Sequence, residues 1–137
     1  MKIKAFSVGL RVFVGIVLFL FIFCEWLLGQ SDILELSSNT YEEKTSQGIV
    51  VVEYWAGWNV VNKVEDFEKL ESVDLYRVNI DSSLDLQMKN SVIVVPTIIF
   101  YDNGKEYKRL QGDLSFTLAI SKKDLQKIID EILMSKF

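Results

Sequence analysis

The chain has 137 residues, half of them hydrophobic and 12% aromatic, enough for one packed domain with a short appendage and too apolar for wholesale disorder. It has no histidine and a single cysteine, Cys24. That excludes His-based acid–base catalysis, His-containing metal sites and any intramolecular disulfide, so no metal site and no cofactor is expected. From Gln30 onward 18 acidic residues face 12 basic ones, a net charge of −6, which is the wrong sign for nucleic acid as a partner.

In chain order, Lys2, Lys4 and Arg11 precede Val12–Cys24, an unbroken apolar run of 13 residues. Glu25 interrupts it, and Trp26 to Leu28 resume it. A basic flank before a run of this length is the pattern of a secretory signal. A membrane span wants about 20 apolar residues, and counting on to Gly29 gives 18, so a retained anchor stays open beside a cleaved signal. Residues 1–29 are therefore expected to be a signal peptide or membrane anchor, touching the membrane through residues 12–28 if uncleaved. Residues 30–137 form the domain, exported and either periplasmic or anchored outside the cytoplasm. Cys24, inside the apolar run, reads as an inert filler.

Asp32 to Leu36 reads as a short edge strand and Asn39 to Gln47 as one or two helical turns. Ile49 to Trp55 (IVVVEYW), bounded by Gly48 and Gly57, reads as a buried strand. Val61, Val64, Phe67 and Leu70 recur at helical spacing, and Asn62 with Glu65 has the form of a capping box. Asp74 to Ile80 predicts a strand and Ser83 to Lys89 a short helix. Thr97 to Tyr101 and Lys105 to Leu110 flank Asn103-Gly104, a strong hairpin signal. Ser121 to Asp124 opens a last helix with Leu125, Ile128, Ile129, Ile132 and Leu133 on one face. Together these make an α/β sandwich of three layers with a mixed central sheet.

Four stretches then carry a likeness: VVEYWAGWNVVNK after the buried strand, VNID at residues 78–81, VVPTIIFYDNG around Pro96, and the amphipathic C-terminal helix. In this order they resemble the thioredoxin family over Asp32 to Phe137. The resemblance implies a cis peptide bond at Pro96 and places Glu53 where the family carries a buried acid, with Lys63 as a candidate partner. It also implies a shallow groove beside Pro96, bordered by Trp58, Val60, Val61 and the backbone of Val95, where relatives pair with an extended segment.

Two departures decide the chemistry. The family's Cys-Gly-Pro-Cys is here Asn59-Val60-Val61-Asn62. An asparagine can accept from the free N–H groups of a helix end but cannot act as thiolate or resolve a mixed disulfide. An insertion around residues 113–120 also precedes the last helix, with Leu114, Phe116, Leu118 and Ile120 alternating as in an added edge strand. The expected function is a redox-inactive module that binds a protein or extended peptide, exported or membrane-tethered. The alternatives are an auxiliary oxidoreductase subunit that borrows a partner's cysteines, and a purely structural subunit of a membrane complex.

Overall fold

The structure is a computed structural model that describes residues 32–137. The signal or anchor expected at residues 1–29, Cys24 included, lies outside the described residues. Among the described residues no helix is long and apolar enough to cross a membrane.

The strands are β1 (Leu34–Glu35), β2 (Ile49–Trp55), β3 (Asp74–Asn79), β4 (Thr97–Asp102) and β5 (Lys105–Gln111). The helices are α1 (Ser38–Thr45), α2 (Leu84–Lys89) and α3 (Lys122–Met134). The sheet order is β1-β3-β2-β4-β5. β1 and β2 run parallel to β3, while β4 runs antiparallel to both β2 and β5. The expected mixed sheet is thus present, with its first edge strand reduced to two residues.

β2 lies at the centre and is covered on both faces, which is why its sequence is apolar throughout instead of alternating. Its residues still divide by the period of two. Val50, Val52 and Tyr54 join Ile99 and Tyr101 of β4 in one core, completed by Tyr41 of α1 and Leu86 of α2. Ile49 and Val51 join Ile98 and Phe100 in the other, beneath Leu125, Ile128, Ile129 and Ile132 of α3. Ser121 starts α3 by accepting from the backbone N–H of Asp124 at 3.1 Å. The β4–β5 turn sets Asn103 at φ +48° and Gly104 at φ +82°, the left-handed pair that a two-residue hairpin requires.

The helix expected through Val61, Val64, Phe67 and Leu70 is absent. In its place are two short 3₁₀ segments, Gly57–Asn62 and Phe67–Lys69, with Lys63 extended between them and Asp66 in the left-handed region. Val64, Phe67 and Leu70 still reach the core, but Val61 stands 87% exposed. The expected capping box does not form: the Asn62 amide donates instead to Asn59 Oδ1 at 2.7 Å. Two adjacent β-branched residues, Val60 and Val61, also weaken helix here.

The first core contains a row of three hydroxyls. Tyr54 donates to Tyr41 at 2.9 Å, and the Tyr41 and Tyr101 hydroxyls are hydrogen-bonded to each other at 2.6 Å. Burial pushes all three phenols above the usual tyrosine range. Tyr41→Phe removes the shared partner of two buried hydroxyls and is expected to cost about 1–3 kcal/mol. Urea unfolding of the full chain checks this, and an unchanged midpoint would contradict it.

Candidate functional site

The site forms where β2 ends and the chain turns into Gly57–Asn62. Gly57 N–H is held at 2.6 Å by the Asp81 carboxylate, just past the end of β3. The Val95–Pro96 bond is cis, as the resemblance implied. Trp58 and Val60 are exposed along with Val61, whereas Val95 and Pro96 are buried. The five residues of the expected groove are therefore split into an exposed ridge and a covered floor.

Asn59 is the residue that joins them. It sits buried at φ −118°, ψ 22°, kinking its 3₁₀ segment. Its amide nitrogen donates to the carbonyls of Val95 at 3.3 Å and Phe116 at 2.9 Å, while its oxygen accepts from Asn62. The expectation that Asn59 would accept from free helix N–H groups is corrected: its oxygen accepts from the Asn62 amide instead. The amide nitrogen is thus committed to two other segments and the carbonyl oxygen to Asn62 of its own.

The inserted residues are not the expected edge strand. Leu118 and Ile120 do pack on the core, but Leu114 is almost fully exposed and Phe116 projects over the site. Asp113 Oδ1 accepts from the N–H of Ser115 at 2.8 Å, the N–H of Thr117 at 3.2 Å and the Thr117 hydroxyl at 3.1 Å. These bonds turn the chain instead of extending it. The Thr117 N–H is the main cause holding the Asp113 carboxyl below the usual aspartate range. The Phe116 ring stands edge-on to Trp58 with centroids 5.1 Å apart.

Glu53 is wholly buried on the α3 side of β2. Its partner is Arg77, the facing residue of β3, at 2.7 Å, not the expected Lys63. Its second oxygen accepts from the Val64 N–H at 2.7 Å. Lys63 lies instead over the Trp55 ring at 3.5 Å, its ammonium held below the usual lysine range by burial first and then by the Arg77 charge. Beside this pair runs a cleft of about 680 Å³ lined by Val61, Lys63, Glu65, Asp66, Glu68 and Arg77, and closed by residues 117–120. Sequence reasoning missed Arg77, Asp113 and Phe116. Arg77 had a signal, being the one basic residue in the Asp74–Ile80 strand.

Arg77→Met would leave the Glu53 carboxylate buried without its counter-charge, at a cost of about 3–5 kcal/mol. The double variant Glu53→Leu/Arg77→Met is expected to lose less than Arg77→Met alone. Urea midpoints of the full chain decide it, and simple additivity of the losses would contradict the pairing.

Comparison with known proteins agrees with this architecture. The thioredoxin family model matches residues 32–131. The chain is 31% identical over 70 residues to thioredoxin-1 of Saccharomyces cerevisiae, covering 47% of this chain and 68% of that protein. It is 31% identical over 84 residues to thioredoxin-2 of the same yeast, covering 56% and 81%, and 30% identical over 77 residues to the thioredoxin of Mycoplasma genitalium, covering 52% and 76%. The solved structure of a mutant thioredoxin from Halobacterium salinarum superposes with a TM-score of 0.60 at 15% identity, covering 73% of this chain and 89% of that one, a likeness of fold alone. With its mixed five-stranded sheet, its cis Pro96 and a single cysteine that lies outside the domain, the chain belongs to the thioredoxin family.

Proposed function

We propose that this domain binds a protein partner and performs no dithiol–disulfide exchange of its own. Exchange needs one thiolate to attack and a second thiol to resolve, and Asn59 and Asn62 occupy both places. The observation that carries the reading is the exposed apolar ridge of Trp58, Val60, Val61 and Phe116 around those two asparagines. Large apolar side chains gathered at one end of a sheet are a contact surface for another chain. Glu65, Asp66 and Glu68 line the cleft that Val61 borders, and the domain's charge is −6, so the best-matched partner segment is apolar with basic flanks. The basic flank and apolar run before Glu25 support export, with the domain working outside the cytoplasm, released or on a retained anchor.

The ridge is testable without touching the core. Val61→Asp places a charge on a side chain that is already exposed, whereas Val95→Asp would bury one and unfold the site. A partner cross-linked to the wild-type chain in its source membranes is expected to bind a folded Val61→Asp chain at least about tenfold more weakly. Equal binding by the two would remove the ridge from the account. The Cys24→Ser chain is expected to leave the disulfides of insulin intact, and reduction by it would overturn the non-redox reading.

A further inference from the structure

The cleft beside Glu53 holds two cations whose N–H groups are only partly used. Arg77 gives its Nε to Glu53 at 2.7 Å, but its Nη2 stands 3.9 Å from the Glu68 carboxylate, beyond hydrogen-bond distance. Among the described residues its Nη atoms therefore have no acceptor. No buried side-chain nitrogen there is left unsatisfied, so this edge of the guanidinium is open to solvent in the cleft. Lys63, stacked on the Trp55 ring, likewise has no anionic partner among the described residues. The two line the same cleft, and the Arg77 charge destabilises the Lys63 ammonium. Neighbouring like charges with unused N–H groups form a receptor for an anion, and the flat edge of a guanidinium matches a carboxylate.

The rest of the lining limits which anion can enter. Glu65, Asp66 and Glu68 stand on the same cleft. Asp66 is taken by Lys69 at 2.5 Å, whereas Glu65 has no cationic partner among the described residues. Three carboxylates against two cations repel phosphate and other polyanions, and they favour a ligand that carries a positive charge of its own. Val61 and Val64 give the cleft an apolar part, and the inserted segment supplies the remaining wall through Leu118, Ala119 and Ile120. The volume of about 680 Å³ falls among small-molecule sites, which run from roughly 300 to 1,000 Å³. A molecule that fits these walls is small, apolar in its body and charged with both signs at its ends.

We propose that this cleft binds a small zwitterion of dipeptide size. Its carboxylate lies on the Nη edge of Arg77 and the Lys63 ammonium, its own ammonium turns toward Glu65, and its apolar side chains rest on Leu118 and Ile120. Lys63 is the movable part, exchanging its contact with the Trp55 ring for a charge-assisted hydrogen bond to the ligand. The binding is reversible and involves no covalent step. It does not depend on whether the ridge of Trp58, Val60 and Val61 holds a protein.

The probe is L-leucyl-L-leucine, titrated into the full chain and followed by amide NMR shifts. Saturable binding is expected, with the shifts gathered on residues 63–68 and 117–120. The C-terminal amide and the N-acetyl form of the dipeptide each lack one charge, and both are expected to bind at least about tenfold more weakly. The same loss is expected for the dipeptide on Lys63→Gln. Ala119→Trp, at an exposed alanine of the lining, crowds the cleft without touching a charge and should also weaken binding at least about tenfold. Urea midpoints show that each variant is folded; if one is not, the other variant and the two altered dipeptides still decide the matter. Undiminished binding by either altered dipeptide or by a folded variant would overturn the proposal, as would tighter binding of inorganic phosphate. Shifts confined to Trp58, Val60 and Val61 would place the dipeptide on the ridge and overturn the cleft alone, and an absence of saturable shifts would remove the site altogether.

Discussion

The site depends on one carboxamide. Asn59 has two amide protons and one carbonyl oxygen, and each is used on a different stretch of chain: the residue before Pro96, the inserted loop, and Asn62. A thiol at this position has one weak donor and could not hold two carbonyls at once. Replacement of the family's first cysteine is thus a gain of structure as well as a loss of chemistry. Three segments that meet at the end of the sheet are fastened by a side chain that cannot exchange disulfides.

A second constraint lies one layer below. Glu53 is buried, so both of its oxygens must be satisfied. Arg77 meets one from the neighbouring strand and the Val64 N–H meets the other. The second bond has a cost in local structure, because a backbone N–H given to a side chain is withheld from a helix ladder. Together with the kink at Asn59 and the extended Lys63, it explains why the segment after β2 is two 3₁₀ pieces and why Val61 turns outward to form the ridge.

Much of this fold is written in local pattern. The β-branched run of β2, the Asn103-Gly104 turn and the apolar face of α3 each carry their own period or turn chemistry, and each lies within a residue or two of where the sequence puts it. What the sequence hides depends on side chains reaching across the fold. Val61, Val64, Phe67 and Leu70 have helical spacing, but Glu53 and the two asparagines compete for the backbone there. Leu114 and Phe116 alternate like a strand, but Asp113 gathers the next N–H groups into a turn. Lys63 is closer in sequence to Glu53, yet strand register delivers Arg77. Of the site residues, Trp58, Val60 and Val61 are legible as surface; the burial of Val95 is not, since it comes from the first core, whose members are distant in sequence.

The claim at the centre of this account is that Asn59 is a clamp and not merely a vacated cysteine. Urea unfolding of the full chain carrying Asn59→Cys in a Cys24→Ser background measures it most directly. Restoring the family's residue is expected to lower stability by on the order of 1–3 kcal/mol with an unchanged denaturant slope, because one buried and one part-buried carbonyl lose their donor. A chain that is as stable or more stable with cysteine at this position would contradict the clamp and leave the three segments to be held by something else.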